Sequence, residues 1–208
     1  GKRAVATALA RIGSTKTVDF LMEHLLVEPF ELQKHLSQCL CEMIDQLTPK
    51  NQHAIFLRVK KYFSSPRVKK DLQALVVCLI LLGHCRWEKD VQASRKILRS
   101  FAAPKQAPEI RRYAMLSIAR TIMEAPVDAD LTTFLRKCLC DDDWNNVGKS
   151  ALSAFQRLEL PRSFNSKLVS LLKDSPHFSV HIHIFDRLSR ENRAEVARAI
   201  LPFLRDSR

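Results

Sequence analysis

Basic residues recur at a long and nearly regular interval along this 208-residue chain, and their side chains are of the type that binds a series of negative charges. We call this set the basic row: Arg3, Lys34, Lys70, Arg112 and Lys149, with intervals of 31, 36, 42 and 37 residues. At the next repeat of this interval the corresponding residue is Ile182, which is not basic. Because Lys and Arg pair with phosphates and carboxylates, the row predicts a surface that holds nucleic acid or an acidic protein segment.

Further basic residues occupy two other positions of the same repeat. The residue before a member of the row is basic at Lys2, Lys69 and Arg111. The position eight residues after the row is basic in four copies and is interrupted by Glu42 and Cys78. Those four residues are Arg11, Arg120, Arg157 and Arg190.

Two interpretations of the basic row remain open. In one it tracks a phosphate backbone, which would make binding salt-sensitive and independent of nucleotide sequence. In the other the cations are solvated or pair with acidic residues at turns, such as the run 141–143 and Asp174. Tyr113 and Trp144 are the aromatic residues with positions suited to contacting a ligand, which gives base stacking limited support.

Residues for catalysis or metal binding are not convincingly grouped. His177 and His181 share a helical face, but His183 diverges and no carboxylate or thiol accompanies them. Cysteines two residues apart point in different directions on a helix, so they do not chelate one ion. The sequence therefore predicts no catalytic residue, no metal and no cofactor. The cysteines are expected to be buried, reduced thiols of an intracellular protein, either cytoplasmic or, in a eukaryote, nuclear.

The basic row must be carried by helices, because each member follows an apolar or small anchor by two residues. Small or apolar residues recur four, seven and eight positions after the anchors, which is helical periodicity. The anchors lie at 1, 32, 68, 110, 147 and 180. They predict helices over 1–13, 29–47, 66–83, 107–124, 143–159 and 177–189. The row residue lies about 180° from the apolar stripe and therefore faces outward.

A partner helix is predicted after each of these. The segments are 17–27, 49–63, 88–101, 130–140, 162–173 and 191–205. Two helices in each unit of 31 to 42 residues predict an all-α fold, an α-solenoid of about six helix pairs spanning 1–208 as one repeat array. The array is expected to be truncated at both ends, as a segment of a longer protein.

Two segments carry a resemblance to a known family. Residues 108–120 (PEIRRYAMLSIAR) and 142–152 (DDWNNVGKSAL) resemble the second helix of HEAT repeats, with an acidic or proline-containing turn before a helix with small packing residues. The resemblance implies a right-handed superhelix whose second helices line the concave side. It implies a binding surface and no activity.

A more remote resemblance is to HEAT-like alkylpurine DNA glycosylases, in which a Trp is followed four residues later by a catalytic Asp. Here Trp144 is followed at that spacing by Gly148. The carboxylate that would stabilise a cationic sugar is absent from the matching position, which argues against this activity.

Composition narrows the function without naming it. Hydrophobic residues form 46% of the chain and charged residues 27%, which is typical of a folded protein. The longest apolar segment, 74–83, is about half the length of a membrane span. The net charge of +12 favours anionic partners.

We expect a non-catalytic scaffold whose basic groove docks a protein segment or a neighbouring domain. The alternative is a nucleic-acid-binding module, attached to a catalytic domain such as a polymerase, reverse transcriptase or helicase.

Overall fold

Helices form all the regular structure of the part of the chain that the structure describes. The structure is a computed structural model that describes residues 1–44, 46–123, 125–158, 165–189, 197 and 201. The side chains of residues 15, 67, 69, 165–167 and 189 lie outside this description. The all-α prediction is confirmed for these residues.

The helices follow the predicted order closely. They are α1 (Lys2–Ile12), α2 (Thr15–His24), α3 (Phe30–Ile44), α4 (Pro49–Ser64), α5 (Pro66–Lys70), α6 (Leu72–Leu82), α7 (Glu88–Phe101), α8 (Pro108–Thr121), α9 (Ala129–Cys138), α10 (Lys149–Gln156), α11 (Asn165–Asp174) and α12 (Phe178–Ser189). A π-helical turn, Trp144–Gly148, leads into α10. Of the helix predicted over 191–205, only residues 197 and 201 are described, and both are helical.

Local polar chemistry explains where several helices begin. The predicted helix 66–83 is divided into α5 and α6, because the Asp71 carboxylate accepts hydrogen bonds from the amides of Gln73 (2.9 Å) and Ala74 (3.1 Å). Asp128 caps α9 in the same way through the Leu131 amide, at 2.6 Å. Such caps satisfy amides that have no partner inside the helix.

The apolar pattern correctly predicts the buried face of most of the helices, but it is wrong at Leu72, which is 43% exposed at the start of α6, and by one residue in α1. The pattern expected Val5 and Leu9 to pack inward, whereas the structure buries Ala6 and Ala10 and leaves Val5 55% exposed. Helix α1 packs against α3 and α2, and alanines suit the close packing of helices.

The chain divides into two units, Gly1–Pro126 and Val127–Arg208. In the first unit α1 packs against α3, α3 against α6, and α6 against α8, so these helices form one layer. The second layer consists of α2, α4 and α7, which pack onto the first. In the second unit α9 packs against α10, and α11 against α12.

Helix α6 is the core of the first unit. Its sequence, LQALVVCLILL, contains no charged residue, and most of it is fully buried. At its end, Gly83 lies so close to α8 that a Cβ would be 2.8 Å from the Cα and Cβ of Ser117. The close contact between α6 and α8 therefore depends on glycine at this position.

A buried arginine closes the end of α8. Arg95 of α7 is 1% exposed. Its guanidinium donates hydrogen bonds to the carbonyl oxygens of Thr121 (2.7 Å), Ala125 (2.9 Å) and Pro126 (2.6 Å). Its Nε donates to the Thr121 hydroxyl at 3.0 Å. A cation at this end of a helix also interacts favourably with the helix dipole.

Candidate interaction surfaces

The four members of the basic row in the first unit lie in its first layer. Arg3 is on α1, Lys34 on α3, Lys70 at the end of α5 and Arg112 on α8, and all four are exposed. These helices, with α6 following α5, are successive neighbours. The basic row therefore contributes one cation from α1, one from α3, one from α5 and one from α8 across this layer.

The remaining predicted binding residues are partly exposed, partly buried and partly outside the described residues. In the second unit, Lys149 and Arg157 are exposed on and just after α10. Arg190 and the side chain of Lys69 lie outside the described residues. Tyr113 is half-buried.

Arg111 does not belong to the exposed surface, which corrects its assignment as a groove residue. It is 7% exposed, and its Nε donates a hydrogen bond to the Ala102 carbonyl at the end of α7, at 3.2 Å. The neighbouring Arg112 points outward instead. Arg120 is exposed, but its guanidinium is hydrogen-bonded to the imidazole of His84.

Acidic residues interrupt the basic row. Arg3 lies 3.6 Å from the carboxylate of Glu31, whereas Lys34 and Arg112 have no carboxylate partner among the described residues. Glu42 on α3 and Glu109 on α8 are also exposed. The first layer thus presents mixed charge, which differs from a continuous phosphate-binding groove.

Apolar side chains accompany the charges on α8. Leu116 is 46% exposed and Met123 is 68% exposed. Leu116 lies four residues from both Arg112 and Arg120, so these three residues share one exposed face of α8. Met123 lies two residues beyond Thr121, the last residue of α8, and is included here in the same surface. We call it the α8 face. Apolar residues with flanking charges are typical of protein interfaces.

Trp144 is engaged in packing. Its indole stacks on the imidazole of His177, with ring centroids 4.2 Å apart and planes inclined by 22°. Gly148 lies against the same indole, because a Cβ at that position would overlap the ring. The site that would carry the glycosylase Asp is thus a buried glycine against the indole.

The strongest concentration of positive charge extends beyond the basic row, which includes only Lys70 of the segment 46–70. Residues 46–70, which include α4 and α5, contain seven basic residues and no acidic one. Those on α4 are Lys50, Arg58, Lys60 and Lys61, all exposed. This concentration of charge is evident in the sequence, because no acidic residue occurs between Asp45 and Asp71.

Two of the clefts on the described part of the first unit are lined by charged residues at their edges. One, of about 520 Å³, is lined by Glu23, Arg58, Lys61, Tyr62, Ser64 and Ser65. Arg58 there pairs with Asp19 of α2 at 2.8 Å, so this cleft also has mixed charge. The other, of about 260 Å³, is mainly apolar and lies between α1, α2 and α3. At its edge Lys2 donates a hydrogen bond to Glu28, which lowers the pKa of that carboxyl.

The thiols show no features of catalytic activation. Burial raises the pKa of Cys78 and of Cys85 to about 12, so both remain protonated near neutral pH. Among the described residues, no group of His, Cys, Asp and Glu is placed to hold a metal ion.

Comparison of the chain with family models, curated proteins and solved structures gives no match. No helix in the described part of the chain is long and apolar enough to cross a membrane.

Proposed function

We propose that the protein is a non-catalytic binding scaffold, built as an α-solenoid, that docks a segment of another protein or a neighbouring domain on the first layer of its first unit. The observation that carries this proposal is the α8 face, where exposed Leu116 and Met123 lie beside arginines. Its partner is an amphipathic segment whose apolar side chains cover these residues and whose carboxylates pair with Arg112 and Arg120.

The succession of helix contacts supports the solenoid. In repeat arrays each unit packs mainly on its neighbours, and the chain α1–α3–α6–α8 follows that rule within the first unit. The lengths of the units, between 31 and 42 residues, suit two helices each. Large surfaces on such arrays are typically used for binding.

Nucleic acid is less well supported on this layer. Glu31, Glu42 and Glu109 are exposed among the basic residues, and like charges would repel a phosphate backbone there. The acidic residues are compatible with a protein partner of mixed charge. Protein docking therefore agrees better with the composition of this surface.

Site-specific photo-crosslinking tests the proposal in the cell that makes the protein. A benzophenone amino acid at Leu116 is expected to give a discrete protein adduct, and the same group at Val27 (60% exposed, beyond α2) is the matched control. Arg112→Glu should reduce the adduct yield, whereas Lys16→Glu should not. Equal adducts at both positions, or adducts at 116 removed by nuclease, would refute protein docking at the α8 face.

A further inference from the structure

The second layer of the first unit presents a group of positive charges on α4, in a different layer from the α8 face. Helix α4 carries four basic residues and no acidic one. Lys50, Lys60 and Lys61 are exposed and have no carboxylate partner among the described residues, whereas Arg58 is paired with Asp19. Three cations without a carboxylate partner on one helix create a positive potential at this surface.

These lysines lie on one side of α4. Lys50, Leu57 and Lys61 are separated by seven and four residues, which places them in one row along the helix, with Lys60 beside it. We call these four residues the α4 face. The distance along the helix axis from Lys50 to Lys61 is about 16 Å, at 1.5 Å per residue. The cations are therefore spread along a line.

An exposed aromatic pair adjoins the α4 face. His53 lies one turn after Lys50, and its ring meets that of Trp87 edge-on, with centroids 4.7 Å apart. The imidazole Nδ1 of His53 is hydrogen-bonded to the buried Asp90 carboxylate at 2.9 Å, which fixes the ring. Trp87 is 37% exposed at the start of α7. Thus an accessible indole that contacts the fixed imidazole lies next to the row of lysines.

We propose that the α4 face and Trp87 bind single-stranded nucleic acid, with Lys50, Lys60 and Lys61 contacting phosphates and Trp87 stacking on an unpaired base. Cationic rows combined with aromatic platforms are the chemistry by which proteins bind single strands without sequence preference. A paired base is already stacked in a duplex, so the indole favours single strands. Glu88, which follows Trp87, is the one exposed carboxylate of α7.

An anionic membrane is a poorer match to this surface. Membrane-bound amphipathic helices insert an apolar face between lipid headgroups. The apolar residues Ile55, Phe56 and Val59 of α4 are buried in the protein core, and Leu57 is the exposed large apolar side chain of the helix. The α4 face therefore offers charge and an aromatic ring, and little apolar surface to insert.

The test is fluorescence anisotropy of the whole chain with a labelled oligothymidylate of about 15 nucleotides and with a duplex of equal length, across a salt series. The triple variant Lys50→Gln, Lys60→Gln, Lys61→Gln removes three phosphate contacts. It should reduce the slope of log K against log salt by about 2 and lower the affinity at least tenfold at low salt. The control is Lys16→Gln, Lys137→Gln, Lys173→Gln, which makes the same change in net charge at exposed sites outside α4 and should alter affinity less than about twofold.

The stacking contact has its own variants. Trp87→Leu should lower the affinity for the single strand by about tenfold or more with the salt slope unchanged, while Trp87→Phe should retain most of the binding. Circular dichroism melting of each variant separates loss of binding from loss of folding. No binding at low salt, equal effects of the two lysine triples, or a duplex bound as tightly as the single strand would each overturn the proposal. Tighter binding to anionic vesicles than to the oligonucleotide would also overturn it.

Discussion

Replacing Arg95 by Met should cost the first unit about 3–5 kcal/mol of unfolding free energy. The side chain is 1% exposed and supplies the donors for the carbonyl oxygens of Thr121, Ala125 and Pro126. Each bond from a charged donor contributes about 1.5–3 kcal/mol, and an acceptor left buried without a partner costs about 1–3 kcal/mol. The three contributions share one side chain and are not additive, which places the total below their sum.

Urea unfolding followed by Trp87 fluorescence measures this cost, in a Trp144→Phe background so that the signal comes from the first unit. Arg95→Lys should recover about half of the loss, because one ammonium group keeps the charge but cannot reach all three carbonyls. Lys96→Met, at the exposed neighbouring position, is the control and should change stability by less than about 0.5 kcal/mol. A loss below about 1 kcal/mol for Arg95→Met, with an unchanged urea m-value, would show that these bonds do not hold α7 to the end of α8.

Two further predictions concern packing and buried thiols. Gly83→Ala should destabilise the first unit by roughly 1–3 kcal/mol, because its Cβ would meet Ser117 at 2.8 Å, and Ser117→Gly should recover part of that loss in a double-mutant cycle measured by urea unfolding. An additive double mutant would contradict the close contact. Cys78 and Cys85 should resist iodoacetamide at pH 8 in the folded protein while the half-exposed Cys140 reacts first, as mapped by mass spectrometry. Thiols of the unfolded chain ionise near their ordinary pKa of about 9, whereas burial raises the folded pKa of Cys78 and Cys85 to about 12, so their contribution to stability is complete below pH 9 and is lost between pH 9 and 12. Replacing both by Ala should reduce the fall in stability over that interval.

Helix positions were predictable because the apolar spacing that buries a face is encoded locally. The anchors Ile110 and Val147 are buried as the pattern required. The break at Asp71 was missed because a capping carboxylate competes with a strong helical pattern, and the pattern alone does not weigh the two. Sequence could therefore locate the helices better than their interruptions.

The candidate surfaces were less predictable, because they depend on contacts distant in sequence. Arg111 and Arg112 look equivalent in the sequence, but only Arg111 reaches the Ala102 carbonyl and becomes buried. The proximity of His53 and Trp87, 34 residues apart, likewise arises from the packing of the first unit. The basic residues of α4 are evident in the sequence, but they do not follow the repeat interval that defines the basic row.

The lack of charge in α6 also has a consequence for how the protein is made. On the ribosome α6 is synthesised before α7 and α8. The apolar surface of α6 that packs against these two helices therefore stays uncovered until Thr121, the last residue of α8, has been added. At about 5–20 residues per second, the roughly 40 intervening residues take about 2–8 s. During that interval we expect the uncovered apolar surface of α6 to make the nascent chain prone to aggregation.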